Sequence, residues 1–269
     1  MRTLIVAEIG ANHLGNMDVA ESMIRAAAEA GADIVKFQSW QAAKLRKDFP
    51  DFQAAYERHR RTQLSDADHE RLIEACAKCG VEFLTTCFDV DRVDFLAGLG
   101  LKRIKVASPD CASFALIDRL KAKFEHLIIS TGMSTDEEVQ AMIRRVRGHR
   151  VTVLHCISLY PPPSHRVNMA RLEWLRSQGV AVGFSDHTLG TDAGKFAIAL
   201  GAEIVEKHFT LSRKLPGKDQ AVSGEPSEFA ELRRWAESVE TMRGTATPGL
   251  SPEELTLRDI YMGKWGSNR

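Results

Sequence analysis

Eight short apolar segments, each followed by a stretch with helical spacing of apolar residues, recur along the whole chain. The predicted strands are Leu4–Ile9, Asp33–Gln38, Val81–Thr86, Arg103–Ala107, Leu127–Thr131, Val151–Cys156, Val180–Phe184 and Glu203–Lys207. The clearest predicted helices are Asp18–Ala30, Asp66–Lys78, Thr135–Arg147 and Ser227–Met242. Strands that alternate with helices are typical of βα units in a parallel sheet. Eight such units in 269 residues predict an α/β fold, a single-domain (β/α)8 TIM barrel.

The residues that separate these segments support the same fold. Glycines stand just before six of the predicted strands, where a helix C-cap needs a positive φ: Gly31, Gly80, Gly100, Gly148, Gly179 and Gly201. Ser134, followed by Glu137, predicts one helix start, and Ser227 predicts another. No G-x-G-x-x-G follows the first strand, which argues against a doubly wound dinucleotide-binding sheet. We assign residues 1–245 to the barrel and residues 246–269 to a C-terminal tail.

The charge balance and the cysteines exclude several classes of function. The chain has 36 Lys plus Arg and 36 Asp plus Glu, so it lacks the bulk positive charge expected of a protein that binds nucleic acid or an anionic membrane. No apolar run near the start is long enough for a signal peptide or a membrane span. Five cysteines, an odd number, favour reduced thiols and a cytoplasmic location. The Cys76-x-x-Cys79 pair has no second cysteine pair to complete a zinc site.

Two lysines inside apolar strands indicate an anion site. Lys36 and Lys105 cannot be buried with their charge unless an anion lies near them. Ser130, Thr131 and Gly132 add hydroxyl and backbone donors at the end of the fifth strand, where barrel active sites form. A phosphate or carboxylate site is therefore expected. The alternative is that both lysines form internal ion pairs with barrel glutamates such as Glu206.

Two histidines at the ends of neighbouring strands indicate a metal. His187 and His208 end the seventh and eighth strands, and Glu8 ends the first. Imidazole and oxygen ligands suit Mn, Fe, Co or Zn in an open coordination shell. The alternative for each histidine is a hydrogen-bonded residue of the core.

The motifs at these strand ends resemble, in order, those of the N-acetylneuraminate (sialic acid) synthase family of phosphoenolpyruvate-dependent condensing enzymes. They are AEIGANHLGN, VKFQSW, LTTCFD, KVASPD, ISTGM, LHCISLYPPP, GFSDHTLG and EKHFTL, between residues 4 and 242. The resemblance implies a (β/α)8 barrel and a reaction that joins phosphoenolpyruvate to the aldehyde of a sugar such as N-acetylmannosamine. The products are a 2-keto-3-deoxy acid and phosphate.

The resemblance also implies roles for individual residues. His187 and His208 would be catalytic residues that bind a divalent metal, Mn or alternatively Mg, Co, Fe or Zn. Glu8 would be catalytic in proton transfer. The remaining residues would bind substrate, with the lysines and most of the hydroxyls on phosphoenolpyruvate and Tyr160 on the sugar: Lys36, Lys105, Ser108, Ser130, Thr131, Ser158, Tyr160 and Ser185.

The chain departs from the family pattern on the aldehyde side of the site. Cys87 replaces a proline, Asp110 a glutamate, and Ser158 a residue that is often asparagine, so the aldehyde is left open. Family members continue into an antifreeze-like domain that gives an arginine to the partner's site, whereas this chain stops at Arg269. We expect the basic excursion Ser39–Leu64 or the loop Lys214–Glu225 to replace this domain as the cover of a site. We also expect a homodimer in which residues between Lys44 and Arg61 approach a site, either their own or their partner's. A merely solvated excursion is the alternative.

Three hypotheses of function follow. The first is the metal-dependent condensation of phosphoenolpyruvate with a sugar or sugar-like aldehyde. The second is a barrel lyase or aldolase of a specialised biosynthetic pathway, and the third is a non-catalytic, phospho-ligand-binding subunit that needs a partner protein. The presence of both metal histidines together with Glu8 and both lysines favours the first hypothesis over the third.

Overall fold

Eight parallel strands close into a barrel in the computed structural model, which describes residues 2–244 and 249–266. The strands are β1 Leu4–Glu8, β2 Ile34–Ser39, β3 Glu82–Cys87, β4 Arg103–Val106, β5 His126–Ser130, β6 Arg150–Cys156, β7 Ala181–Asp186 and β8 Ile204–His208. Each strand pairs with its neighbour in sequence, and β8 pairs with β1. The predicted (β/α)8 barrel is confirmed.

Helices cover the outside of the barrel. In the described residues they are α1 Met17–Glu29, α2 Phe52–Thr62, α3 Asp66–Lys78, α4 Val93–Gly98, α5 Phe114–Lys121, α6 Asp136–Arg145, α7 Arg171–Ser177, α8 Asp192–Ala199, α9 Pro226–Arg243 and α10 Pro252–Tyr261. The six glycines before strands all have positive φ, from 71° at Gly80 to 87° at Gly31, as predicted.

Two of the predicted helix starts are wrong by one or two residues. The N-cap of α6 is Thr135, which forms a capping box with Glu138, so Ser134 lies one residue too early. The N-cap of α9 is Glu225, which forms a capping box with Glu228, and Pro226 takes the first helical position in place of Ser227. In both cases a neighbouring side chain able to cap satisfies the free N–H groups instead.

The apolar core has two parts, one between strands and helices and one inside the barrel. The inner part is a single layer of six residues that points into the lumen: Val6, Ile34, Leu84, Ile128, Leu154 and Ile204. Gly183 takes the corresponding place in β7, because it pairs with Leu154. A Cβ at this glycine would overlap Leu154 Cδ2 and lie 2.6 Å from the Ile204 carbonyl oxygen. This layer closes the lower part of the barrel.

Two segments lie outside the regular βα repeat. The excursion after β2 contains α2, which packs against the barrel mouth rather than standing in solvent, as described below. The predicted tail, residues 246–269, is described only over 249–266, where α10 is exposed along its length, and its other residues lie outside the described part of the chain. Across the described residues, no helix combines the length and apolar character that crossing a bilayer requires.

Candidate functional site

A ring of polar side chains lies directly above the apolar layer of the lumen. Because successive side chains alternate between the two faces of a strand, the residue two positions after each lumen residue also points into the barrel. These residues are Glu8, Lys36, Thr86, Ser130, Cys156, Ser185 and Glu206, with Lys105 at the same level of β4. They form the floor of an open cavity of about 310 Å³ at the C-terminal end of the barrel.

Most of the residues predicted for the site line this one cavity. They are Glu8, Lys36, Lys105, Ser108, Ser130, Ser158, Tyr160, Ser185, His187 and His208. Thr131 is not among the lining residues, and its hydroxyl donates to the carbonyl oxygen of Leu154 at 3.1 Å. Cys156 and Asp219 also line the cavity but were not predicted for the site.

The two lysines differ in how well their charge is compensated. Lys36 Nζ lies 2.8 Å from Glu8 Oε2 and 3.6 Å from Glu206 Oε2, so the pKa of Lys36 is raised although burial opposes this. Lys105 Nζ lies 3.9 Å from Glu206 Oε1, and burial lowers its pKa. The internal ion pairs considered from the sequence are therefore present, strongly at Lys36 and weakly at Lys105.

The pKa values of the two glutamates are shifted in opposite directions. Burial, opposed by Lys36, raises the pKa of Glu8 to about 7. Burial also disfavours the Glu206 carboxylate, but Lys105 and Lys36 outweigh it and lower the pKa of Glu206 to about 2. The site thus contains one glutamate held as a carboxylate and one able to hold a proton near neutral pH.

The space around Lys105 is suited to an anion. Lys105 Nζ donates to Ser130 Oγ at 2.5 Å, and the backbone N–H of Gly132 donates to Ser108 Oγ at 3.0 Å. A Cβ at Gly132 would overlap Ser158 Oγ and lie 2.9 Å from Ser108 Oγ, so only glycine leaves this pocket open. A lysine ammonium group, three serine hydroxyl groups and the nearby backbone at Gly132 together form the kind of site that binds phosphate or carboxylate.

The two histidines lie side by side in the wall of the same cavity. Their ring centroids are 5.5 Å apart. The Nδ1 of His187 lies 2.9 Å from the carbonyl oxygen of Ile157, which can only accept, so this nitrogen carries the proton and leaves Nε2 free. His208 Nδ1 has no hydrogen-bond partner in the part of the chain that the structure describes, and burial holds the pKa of His208 well below its usual range.

These two imidazoles fit a divalent metal ion in part. His187 has one nitrogen bonded to a carbonyl and the other free, which is the usual arrangement of a metal-binding histidine, whereas His208 has no such bond at Nδ1 among the described residues. In the described residues, however, no cluster of three or more His, Cys, Asp or Glu side chains is placed to bind an ion. Water and substrate would therefore have to supply the other ligands, as in an open catalytic site.

A buried ion pair behind the cavity fixes the strands that carry the histidines. Lys207 Nζ lies 3.1 Å from Asp186 Oδ2 and donates to the carbonyl oxygen of Thr188 at 2.5 Å. Asp186 Oδ1 accepts from the backbone N–H and the hydroxyl of Thr188. Each ion-pair partner directly precedes one histidine in sequence, so the pair sets the separation of the two imidazoles.

Tyr160 and the loop after β8 form part of the rim of the cavity. The Tyr160 ring lies 4.1 Å from that of His187, and 51% of the residue is exposed. Asn12 Nδ2 donates to Ser223 Oγ, which in turn donates to the carbonyl oxygen of Asp219 at 2.7 Å. Asp219 is thereby held at the rim of the cavity.

Comparison with known proteins identifies the family that the sequence motifs resemble. A model described as the NeuB family matches residues 23–248. The chain is 35% identical to the N,N'-diacetyllegionaminic acid synthase of Legionella pneumophila, over 97% of this chain and 78% of that protein. It is 31% identical to the N-acetylneuraminate-9-phosphate synthase of Homo sapiens, over 95% and 75%. The crystal structure of the N-acetylneuraminic acid (sialic acid) synthetase from Leptospira borgpetersenii serovar Hardjo-bovis superposes with a TM-score of 0.90 at 28% identity, covering 97% of this chain and 93% of that one.

Proposed function

Because this chain is an enzyme that belongs to the NeuB family, we propose that it condenses phosphoenolpyruvate with a sugar or sugar-like aldehyde. The products would be a 2-keto-3-deoxy acid and phosphate. The observation that carries this proposal is the presence in one cavity of the cation and hydroxyl groups of Lys105, Ser108 and Ser130 together with the pair His187 and His208. Such a site can hold an anionic nucleophile on one side and an aldehyde on the other.

Each wall of the cavity has a separate task in this reaction. C3 of phosphoenolpyruvate attacks the aldehyde carbon, water adds at C2, and phosphate leaves with cleavage of its bond to C2. Lys105 and the serine hydroxyls would bind the phosphate through attack and departure. Glu8, buried and able to hold a proton near neutral pH, would exchange that proton with the aldehyde oxygen or the attacking water.

We propose that His187 and His208 would hold a divalent metal, Mn or alternatively Mg, Co, Fe or Zn. When bound, such an ion supplies Lewis acidity to a carbonyl oxygen. Substitution of either histidine by alanine should then reduce the metal content of the purified protein, measured by elemental analysis after dialysis against Mn. His165→Ala is the control, because His165 is an exposed histidine outside the cavity. Equal metal content in all four proteins would remove the metal from the proposal.

The experiment that tests the function measures phosphate release from phosphoenolpyruvate with a panel of aldoses. The keto-deoxy acid should form in the same amount as phosphate, which separates condensation from simple hydrolysis. Gly132→Ala should abolish both signals, because its methyl group would fill the pocket between Ser108 and Ser158. Phosphate release without an aldehyde, or none with any aldehyde, would contradict the proposed reaction.

We also propose that the enzyme is a cytoplasmic homodimer. The five cysteines are free thiols and four of them are buried, which suits a reducing compartment. The resemblance noted in the sequence implies the dimer. Sedimentation of the purified chain measures its mass directly, and a monomer at all concentrations would contradict this part of the proposal.

A further inference from the structure

Two loops meet above the catalytic cavity and enclose a second cavity of about 260 Å³ beside it. One loop contains α2, and the other is the segment after β8 that contains Asp219. The two cavities share Gln38 and Asp219 in their walls, so they form a continuous path away from the catalytic floor. This second cavity is called the outer cavity below.

The loop with α2 is fixed to the barrel mouth by packing. The Trp40 indole N–H donates to the carbonyl oxygen of His59 at 3.1 Å, and the two rings meet edge to face at 5.2 Å. At the end of α2, the carbonyl oxygen of Arg61 sits so close to Gly15 that a Cβ there would overlap it. These contacts hold one face of α2 toward the outer cavity.

The loop after β8 is fixed from the other side. Gln220 Nε2 donates to the carbonyl oxygen of Asn12 at 3.1 Å, and Gln220 is buried. A Cβ at Gly217 would lie 3.0 Å from Gln220 Cγ and 3.5 Å from Leu14 Cδ2. Both loops therefore rest on the turn Asn12–Gly15, which brings their side chains to one place.

The charged side chains that these loops place in the outer cavity are mostly cationic. Arg58 comes from α2 and Lys218 from the loop after β8, and neither forms an ion pair with a described residue. Asp219 is the one carboxylate among the residues that line this cavity. Arg58 and Lys218 are both exposed at the mouth of this cavity. Arg60, which is also exposed on α2 but does not line the cavity, is paired with Glu57 at 3.0 Å. The outer cavity thus presents two unpaired cations beyond a carboxylate that can accept hydroxyl groups.

We propose that the outer cavity binds an anionic group, a phosphate or carboxylate, at the end of the aldehyde substrate remote from its reacting carbon. This inference rests on the proposed function, because the order of groups along the path defines it. Lys105 lies at the phosphoenolpyruvate end, and His187 and His208 lie at the aldehyde. Asp219 and Gln38 follow at the hydroxyl groups, and Arg58 and Lys218 at the far end. Charge-assisted bonds to both cations would select an anionic sugar over its neutral counterpart.

The test measures binding by calorimetry to the enzyme saturated with phosphoenolpyruvate under conditions that prevent turnover, with Mn omitted. The probes are N-acetylmannosamine, its 6-phosphate and the corresponding uronic acid. At least one anionic probe should bind about tenfold more tightly than the neutral sugar, and its charged group then identifies phosphate or carboxylate. Equal binding of all three probes, tighter binding of the neutral sugar, or no binding of any probe would overturn the inference.

Three variants assign the effect to the outer cavity. Arg58→Ala and Lys218→Ala should each weaken binding of the preferred anionic probe about tenfold and leave the neutral sugar unchanged, and Arg58→Lys should restore most of the loss. Arg60→Ala is the matched control and should have no effect. A loss in Arg58→Ala that is equal for neutral and anionic probes would overturn the inference. The proposed function is judged separately, by phosphate release with Mn present, so condensation of neutral sugars alone would refute only the inference.

Discussion

At the scale of single residues, the two lysines show how much the sequence could predict. Each lysine in an apolar strand had to meet an anion, and that requirement is independent of the fold. The sequence could not say whether the anion is a glutamate or a ligand, because this depends on distances across the barrel. The structure separates the cases, since Lys36 Nζ lies 2.8 Å from a Glu8 oxygen, whereas the nearest carboxylate oxygen to Lys105 among the described residues is that of Glu206 at 3.9 Å.

Lys105 should therefore matter more than Lys36 for phosphoenolpyruvate. We expect Lys105→Ala to weaken phosphoenolpyruvate binding by about 2 kcal/mol, or roughly 30-fold, because it removes the less compensated cation from a desolvated site. Lys36→Ala should weaken phosphoenolpyruvate binding less than Lys105→Ala does, but it should lower the free energy of unfolding more, because two buried glutamates lose their partner. Lys102→Ala, at the opposite end of β4, is the control. Titration calorimetry measures the phosphoenolpyruvate affinity of each variant. A larger loss of affinity in Lys36→Ala than in Lys105→Ala would contradict the greater importance of Lys105.

The buried His126 should make stability depend on pH. Burial lowers its pKa to about 4, against about 6.5 in the unfolded chain. The unfolded state then binds more protons between these values, so the contribution of His126 is complete above about pH 6.5 and is lost as pH falls toward 4. His126→Asn should reduce the loss of unfolding free energy between pH 7 and pH 5, measured by urea denaturation. The exposed His165→Asn should leave the full dependence, and identical slopes in both variants would refute the role of His126.

At the scale of elements, the alternation along the strands explains both the successes and the errors of prediction. Ser130 follows Ile128 by two residues and faces the lumen, so its neighbour Thr131 must face the other way. The same rule could have added Cys156, two residues after Leu154, to the site. The predictions of helix starts were wrong for a different reason. Adjacent side chains can cap the same free N–H groups, and the conformation of the preceding loop decides which of them does so.

The alternation also predicts the effect of a methyl group in β7. Gly183→Ala would push a Cβ into Leu154 and the Ile204 carbonyl, so we expect a loss of about 2 kcal/mol in the free energy of unfolding. This corresponds to a fall of roughly 4–8 °C in melting temperature. Gly98→Ala in α4 is the control, because nothing lies within 4 Å of its added Cβ and alanine favours the helix. Similar melting temperatures for the two variants would show that the lumen layer can relax.

At the scale of the whole molecule, the barrel could be predicted from the sequence, and the position of the excursion Ser39–Leu64 could not. Strand and helix periodicity is local, and eight repeats leave few other ways to close a sheet. The position of α2 depends instead on contacts across the fold, such as Trp40 with His59 and Phe88, and Gly15 with Arg61. These contacts have no periodicity, so the excursion Ser39–Leu64 could be read equally as solvated or as substrate-facing. In the structure the excursion packs beside the barrel mouth, where its residues line neighbouring cavities rather than the catalytic cavity itself.

Trp40 should therefore link the position of α2 to binding of the aldehyde. Its ring packs against His59 and Phe88, and its N–H bonds the α2 backbone, so Trp40→Ala should release α2 without disturbing the barrel. We expect faster amide hydrogen exchange over Phe52–Thr62 and a Michaelis constant for the aldehyde that rises about tenfold or more. The Michaelis constant for phosphoenolpyruvate should change little, because Lys105 and its hydroxyl partners lie on the cavity floor.

A second tryptophan provides the control that separates this coupling from a general loss of stability. Trp235 on α9 also donates its indole N–H to a backbone carbonyl, that of Lys195, but on the outer surface of the barrel. Trp235→Ala should speed exchange locally in α8 and α9 and leave both Michaelis constants unchanged. If Trp40→Ala speeds amide exchange in α2 while the Michaelis constant for the aldehyde stays the same, α2 does not contact the sugar. An aldehyde constant that rises in both variants would instead indicate a global effect, since Trp235 lies on the outer surface of the barrel, away from the cavity.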